Sequence, residues 1–249
     1  MSKIEEYQAK LGTLPSWDAY LLAESGLPGP RGNIELAQAV AELGDLRLFR
    51  RYIAYTAESA PTNTPEEFLA FCGTVGLGRL LAQGNESLLA PLRSQASDPR
   101  WRVREAVAMA LQRLGDADME RLIREMRGWA GGSSLEQRAA AAALCEPRLL
   151  GLERHAKSVL LILDSITSSV VKAGDRKGEA FQALRKGLGY CWSVAVAALP
   201  AQGKPLMEKW MASQDRDVRW IMKENLTKKR LARMDAGWVK RCRAKMDGS

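Results

Sequence analysis

The sequence predicts an all-α protein, a right-handed α-solenoid of about five to six helical hairpins. Residues 97–114 combine an Asp-Pro turn with apolar side chains at steps of three and four, which places those side chains on one helical face. Residues 213–226 repeat this pattern, and each stretch carries a Val-Arg pair at the same place. Candidate helix starts recur at intervals of 31 to 41 residues, at Asn33, Thr64, Asp98, Ser134, Asp175 and Asp215.

The stretch at 97–114 explains why such a helix needs stacked neighbours. Asp98 is a good N-cap and Pro99 suits the first helical position, where no backbone N–H is required. The apolar face that follows consists of Val103, Ala106, Val107, Ala110, Leu111 and Leu114. A single helix cannot bury this face alone, so we expect consecutive repeats to cover one another.

The spacing of the repeats predicts one domain over residues 1–249. Within it, residues 1–31 are expected to cap the N-terminal end, and residues 32–234 to form the repeats. Residues 235–249 are expected to form a basic C-terminal helix.

Helices are also predicted within these limits. The first repeat should contain a helix at 46–58, and two long helices should follow at 152–171 and 176–199. Gly187 and Gly189 are candidates for a bend in the second of these, because glycine weakens a helix interior.

Composition and chain pattern argue against membrane-spanning and secreted classes. Apolar runs such as 159–163 are far shorter than the roughly 18 to 20 residues that cross a bilayer. The N-terminal residues lack the pattern of a secretory signal, so a cytoplasmic protein is expected. The four cysteines are far apart without a CxxC pair, which favours reduced packing residues.

Charge is distributed unevenly along the chain. Residues 1–96 hold 8 Lys and Arg against 11 Asp and Glu, whereas the remaining residues hold 29 against 18. The C-terminal part therefore has a formal charge of +11, which favours an acidic partner, either nucleic acid or protein. A solvated basic surface without a partner is the alternative explanation.

Basic and aromatic residues of the repeat helices are the candidate contacts. Because second helices of successive repeats lie side by side, their basic residues could line one concave surface, and Trp beside Arg suits stacking on a base. The partner-binding candidates are Arg100, Trp101, Arg102, Arg138, Arg176, Lys177, Arg216, Trp220, Lys223 and Arg230. Structural roles compete with this interpretation, since tryptophan also packs between repeats and Arg104 or Arg219 could pair with a turn aspartate.

Residues for classical catalysis are scarce. His155 is the only histidine, which argues against zinc sites with several histidine ligands and leaves a single candidate base for a Ser-His-Asp triad. His155 flanks an amphipathic helix beside Arg154 and Lys157, where a surface position is expected. We assign no catalytic residue, metal or cofactor, and whether the chain is an enzyme stays open.

The turn and helix pattern resembles that of HEAT-type repeats. The resemblance rests on Asp98-Pro99 with Val103-Arg104 and residues 106–114, and again on Asp215, Val218-Arg219 and Leu226. In architecture, the chain is also distantly similar to the HEAT-like DNA alkylpurine glycosylases, which hold duplex DNA in a basic groove. That similarity implies a groove carboxylate with flanking tryptophans, but the Trp-Trp-Asp signature of those enzymes is absent, so no catalytic residue transfers.

These observations predict a non-catalytic HEAT-repeat scaffold that binds an acidic partner on a basic concave face. The alternative is a DNA repair glycosylase that removes alkylated bases from duplex DNA. A lyase-like or chaperone-like HEAT protein is a third class that remains open, and the oligomeric state is not predicted.

Overall fold

The computed structural model describes residues 1–247, and these residues form an all-α structure without a strand. Two short 3-10 segments, Glu86–Leu88 and Pro147–Leu150, accompany fourteen α-helices. The helices are α1 (Lys3–Gly12), α2 (Asp18–Ala23), α3 (Ile34–Leu43), α4 (Leu46–Ile53), α5 (Pro65–Ala82), α6 (Leu89–Gln95), α7 (Trp101–Ala117), α8 (Met119–Ala130), α9 (Ser134–Leu144), α10 (Glu153–Val171), α11 (Glu179–Ala198), α12 (Pro200–Met211), α13 (Arg216–Leu226) and α14 (Lys229–Asp247).

Side-chain caps set several helix starts where the sequence predicts them. Asn33 Oδ1 accepts a hydrogen bond from the amide of Leu36 at 3.1 Å and begins α3. Asp215 Oδ1 accepts from the amides of Asp217 and Val218 at 2.9 and 3.1 Å and begins α13. These bonds satisfy backbone donors that the first helical turn leaves free.

The helix after Asp98 begins later than predicted. Asp98 Oδ1 accepts from the amide of Arg100 at 2.8 Å, and the same carboxylate holds the Arg100 guanidinium. Because the carboxylate serves Arg100, the regular helix starts at Trp101 rather than at Pro99.

Three other predicted helices agree with the structure in part. The helix expected at 46–58 ends at Ile53. The long helix α11 runs through Gly187 and Gly189 without interruption. Within α14 the backbone is extended at Asp235, whose Oδ1 accepts from the Trp238 amide at 2.8 Å. The terminal helix therefore begins after Asp235, as predicted, and a short helical segment from Lys229 precedes it. Of the predicted helix over 235–249, Gly248 and Ser249 lie outside the described residues.

The helices group into two compact units. Unit 1 comprises Met1–Ala117, and unit 2 begins at Asp118. In unit 1, α5 lies between α3 and α7 and also packs on α4, so nearly every residue of α5 from Glu67 to Gly78 is buried. A hydrophobic stripe on one side would not suffice for a helix surrounded in this way.

Glycines, which have no side chain, allow α5 to approach its neighbours closely. A Cβ on Gly78 would lie 2.3 Å from the Cα of Ala110 in α7, and one on Gly76 would overlap the ring of Phe49 in α4. The glycines that lower the helix propensity of α5 therefore provide its close packing.

Unit 2 has two rows of helices. α11 packs between α9 and α13 in one row, and α10 packs between α8 and α12 in the other. The rows pack on each other mainly through α10 with α11, α8 with α9 and α12 with α13. The last helix, α14, packs against α11, α12 and α13.

No helix within residues 1–247 is both long enough and apolar enough to span a bilayer.

Two glycine-to-alanine changes should have opposite effects on stability. Gly78→Ala should lower the free energy of unfolding by about 1–3 kcal/mol, because its methyl group would meet the backbone of α7. For Gly128→Ala in α8, no atom lies within 4 Å of the added Cβ. This change should raise the free energy of unfolding by roughly 0.5–1 kcal/mol, because alanine has a higher helix propensity than glycine. Urea unfolding followed by circular dichroism measures both, and a neutral Gly78→Ala would contradict the close packing of α5 on α7.

Candidate functional site

Two of the predicted contact residues, Arg100 and Arg102, lie inside unit 1. Arg100 is 1% exposed, its Nε and Nη2 bind the Asp98 carboxylate at 2.9 and 2.7 Å, and its Nη1 donates to the Ala60 carbonyl at 3.1 Å. Arg102 donates from Nη1 to Glu67 Oε2 at 3.1 Å and from Nη2 to Asn63 Oδ1 at 3.1 Å. Both guanidiniums join distant segments of unit 1, and their burial removes them from the contact surface.

Glu67 is the buried partner on which this network depends. Its side chain is fully buried, and Oε2 also accepts from the amide of Asn63 at 2.8 Å. A buried ion pair is costly to break because the remaining charge has neither water nor a partner.

Removal of the Glu67 carboxylate should therefore destabilise unit 1. Glu67→Ala leaves the Arg102 guanidinium uncompensated, and we expect a loss of about 3–5 kcal/mol in urea unfolding. The matched control is Glu35→Ala, which removes the exposed pair with Arg31 and should cost at most about 1 kcal/mol. Equal losses in the two variants would show that the buried network is not a major source of stability.

Trp101 is the exposed member of the unit 1 candidates. Its side chain is 45% exposed, and the Arg102 guanidinium lies 4.4 Å from the ring centroid. The indole is therefore held in place by a cation and retains surface for a partner.

In unit 2, Arg176 forms ion pairs with two carboxylates at the start of α13. Its guanidinium lies 2.7 Å from Asp215 and 3.0 Å from Asp217, and Arg185 lies 2.9 Å from Asp217. Burial would raise the pKa of Asp215, but hydrogen bonds from Arg176 and from the amides of Val218 and Asp217 lower it below its ordinary value. The cluster thus anchors α13 to the loop before α11.

The remaining candidates of unit 2 reach solvent to different degrees. Lys177 and Arg216 are exposed, and Arg216 lies 3.6 Å from Asp217. Lys223 is about half exposed and pairs with the exposed Asp247 at 2.9 Å. Arg230 lies 4.6 Å from the centroid of the exposed Tyr190 ring and donates to its hydroxyl.

Residues of α9, α11 and α13 meet at the two glycines of α11. A Cβ on Gly187 would lie 3.4 Å from Arg138 Cγ of α9. One on Gly189 would lie 3.0 Å from Glu224 Cγ and 3.1 Å from Trp220 Cζ3, both of α13. The side chains of the neighbouring helices therefore lie over α11. Arg185 covers the Trp220 ring at 3.8 Å.

We define the basic face of unit 2 as the exposed and partly buried residues that this packing brings to one side. Its basic and aromatic members come from α9, α11, α13 and the start of α14, and are Arg138, Lys186, Tyr190, Trp220, Lys223 and Arg230. Glu224 of α13 also lies on this side, where it pairs with Lys228 at 2.5 Å. Unit 2 as a whole carries 25 Lys and Arg against 15 Asp and Glu, a formal charge of +10. An anion that approaches this face meets a favourable potential.

Sequence reasoning missed Lys186 and Tyr190, although a signal for them exists. Gln182, Lys186 and Tyr190 recur at steps of four along α11, opposite a buried stripe that contains Phe181, Leu184, Leu188 and Trp192. Arg185 had no such signal, because its role depends on Trp220 and Asp217 of another helix.

An apolar groove of about 640 Å³ adjoins this face. Leu150, Val194 and Ala197 line its floor, Tyr190 and Arg230 belong to its wall, and Lys229 and Arg233 stand at its rim. Such a groove with a cationic rim is suited to an amphipathic acidic segment.

The described residues offer little for catalysis. His155 is 7% exposed, so the predicted surface position is wrong. Its ring nitrogen Nε2 lies 3.0 Å from Oε1 of the exposed Glu120. All four cysteines are free and buried, and burial raises the thiol pKa of Cys72 and Cys145. Raised thiol pKa values suppress the nucleophilic thiolate. Within residues 1–247 no three His, Cys, Asp or Glu side chains are grouped to hold a metal.

Comparison with known proteins does not identify a family. The chain matches no protein-family model and no curated protein. A crystal structure of an engineered protein is similar over 94% of this chain and 98% of its own length, with 14% identity and a TM-score of 0.36. Since this similarity is too weak to carry an argument, function rests on the site itself.

The carboxylate cluster predicts a pH effect on the stability of unit 2. Asp215→Asn keeps an N-cap for α13 but removes the ion pair with Arg176, so it should be less stable than the native chain at pH 7. Because the folded-state pKa of Asp215 lies below its ordinary 3.8, the difference should be complete above that pH and shrink as the pH falls through the folded-state value.

Thermal unfolding of both chains from pH 7 to pH 3 measures this difference, with the α8 N-cap variant Asp118→Asn as the control. A difference for Asp215→Asn that stays constant on acidification would contradict the ion-pair origin.

Proposed function

We propose that the chain is a non-catalytic scaffold of HEAT-type repeats that binds duplex nucleic acid through the basic face of unit 2. The observation that carries the proposal is the convergence of basic and aromatic side chains from α9, α11, α13 and α14 on one side of the unit.

The order of the helices in unit 2 supports the repeat architecture. Each of α8-α9, α10-α11 and α12-α13 is a pair of consecutive helices, and the second members pack side by side in chain order. That is the arrangement expected when repeats stack on their nearest neighbours in an α-solenoid. We extend the same proposal to unit 1, where α3, α5 and α7 form a row.

The width of the face suits a phosphate backbone. Neighbouring helix axes lie about 8–10 Å apart, so three helices span roughly 20 Å. Each DNA strand has one phosphate per about 3.4 Å of the duplex axis, so roughly six phosphates of a strand fall within that length of duplex. Cations on successive helices, such as Arg138, Lys186 and Lys223, could then contact separated phosphates of one backbone.

The aromatic side chains add a second kind of contact. Trp220 lies under the Arg185 guanidinium, and Tyr190 lies under that of Arg230, so both rings are held by cations before a ligand arrives. Rings ordered in this way can pack on the sugars of a duplex backbone at lower entropic cost.

Charge reversal on the face should weaken duplex binding. For a labelled duplex of about 20 base pairs, the double variant Lys186→Glu/Lys223→Glu should lose about tenfold or more in affinity. It should also reduce the slope of log affinity against log salt by about 2, one for each lost phosphate contact. Fluorescence anisotropy between about 50 and 200 mM salt measures both quantities.

The matched control is Arg124→Glu/Lys157→Glu, which changes the net charge equally at exposed positions of α8 and α10. Its affinity should fall by no more than about threefold, because charges away from the contact are screened. Equal losses in both double variants, or no binding of the native chain at low salt, would overturn the proposal.

Two further measurements separate the competing functions. Release of a modified base from an alkylated duplex would replace the scaffold proposal with glycosylase activity. Binding of an acidic helical peptide instead of the duplex, lost in Arg233→Glu, would favour a protein partner in the apolar groove.

A further inference from the structure

The apolar groove of unit 2 is lined by three segments of the chain. They are the 3-10 segment Pro147–Leu150, the C-terminal half of α11, and the start of α14 with the residue before it. Leu150 and Val194 on the floor are buried, so the floor is the outer layer of the core of unit 2. The volume of about 640 Å³ lies within the range of about 300–1,000 Å³ that is typical of binding pockets.

The length of the floor matches one face of a short helix. From Tyr190 to Ala197, α11 advances by about 10 Å, at roughly 1.5 Å per residue. An amphipathic helix that binds in a groove places its apolar anchors at i, i+4 and i+7, and these positions span the same distance. About two turns of such a helix can therefore lie along the floor.

The charged side chains that line the groove are all cationic. They are Lys228, Lys229, Arg230 and Arg233, and within residues 1–247 no carboxylate lines the groove. Two carboxylates flank the lining residues in the sequence, and each already has a cation. Glu224 pairs with Lys228 at 2.5 Å, and Glu146 pairs with Arg148 at 3.1 Å.

Two of the lining cations have no counter-charge in the part of the chain that the structure describes. Lys229 and Arg233 are exposed, and neither makes a hydrogen bond or a salt bridge to any of residues 1–247. Arg230 contacts the Tyr190 ring and hydroxyl rather than a carboxylate. The groove therefore combines an apolar floor with uncompensated positive charge, which is complementary to an acidic amphipathic partner.

The spacing of the two cations selects among acidic partners. Lys229 and Arg233 are four residues apart in α14, so their Cβ atoms lie about 5–6 Å apart on one face of the helix. Carboxylates one turn apart on a partner helix have the same spacing. An acyl chain with a single carboxylate would leave one cation unpaired, and a nucleic acid duplex has no apolar stripe for the floor.

We propose that the apolar groove binds an acidic amphipathic helix of a partner protein. Apolar side chains of that helix pack on Leu150, Val194 and Ala197, and two of its carboxylates pair with Lys229 and Arg233. This protein partner is additional to the proposed duplex binding and does not depend on it. The two sites adjoin at Tyr190 and Arg230, so each is tested with residues that belong to one of them alone.

Fluorescence anisotropy with a labelled helical peptide of about 15 residues tests the proposal. The probe carries leucines at i, i+4 and i+7 with glutamates four residues apart beside them. One comparison peptide has lysines in place of the glutamates, and another has the same composition with its leucines dispersed around the helix. The native chain should bind the probe at least about tenfold more tightly than either comparison peptide, because the floor and the rim both contribute.

Charge reversal at the rim should weaken binding of the probe. Lys229→Glu/Arg233→Glu should lower the affinity by about tenfold or more, since both variants place a negative charge opposite a glutamate. The matched control is Lys240→Glu/Arg241→Glu, which makes the same change at exposed positions of α14 outside the groove. It should lower the affinity by no more than about threefold, because charges away from the contact are screened.

Three outcomes would overturn the proposal: no binding of the probe, equal affinity for the peptide with dispersed leucines, or equal losses in the two double variants. Binding of dodecanoate without binding of the probe would assign the groove to a lipid instead. A dimer of the native chain that Lys229→Glu/Arg233→Glu abolishes, again without binding of the probe, would assign it to a second copy.

The duplex variant Lys186→Glu/Lys223→Glu separates this proposal from the proposed function. Neither residue lines the groove, so the affinity for the probe should stay within about threefold of the native value. Binding of the probe without binding of the duplex would leave the groove proposal standing and remove only the proposed function.

Discussion

Close approach of neighbouring helices is the constraint on which both units depend. In unit 1 the backbone of α5 meets α7 where Gly78 faces Ala110, and in unit 2 Gly203 of α12 faces Val196 of α11. A side chain at either glycine would separate the helices by the width of a methyl group. Dispersion contacts fall steeply with such a gap, so the packing of neighbouring helices in each unit depends on residues that contribute almost no side chain of their own.

Charge has two separate roles in this structure. In unit 1, arginines are drawn inward, where Arg100 and Arg102 tie the start of α7 to distant loop carbonyls and carboxylates. In unit 2, Arg176 and Arg185 neutralise the carboxylates at the start of α13, while other cations stay at the surface. Unit 1 carries 12 Lys and Arg against 14 Asp and Glu, so it has no positive net charge, and its buried arginines add little to its surface; the excess of cations belongs to unit 2.

Much of the helical pattern could be predicted from the sequence, because it depends on local periodicity and capping. Asn33 and Asp215 cap the starts of helices, as their side chains suggest. Asp98 does not, because its carboxylate binds the guanidinium of Arg100, two residues later. The site was less predictable. Arg102 and Lys186 are both basic residues on predicted helices. Arg102 is buried because it pairs with Glu67, which lies 35 residues away in the sequence, and local periodicity does not reveal such a pair.

The two glycines of α11 also bear on how unit 2 tolerates sequence change. Gly187 and Gly189 provide the space in which Arg138 and Trp220 lie, yet neither of those side chains belongs to the fully buried core. Substitutions at Arg138 or Trp220 should thus change the chemistry of this surface more than the packing of the helix row beneath it. The surface chemistry and the thermodynamic stability of unit 2 can consequently change through separate mutations.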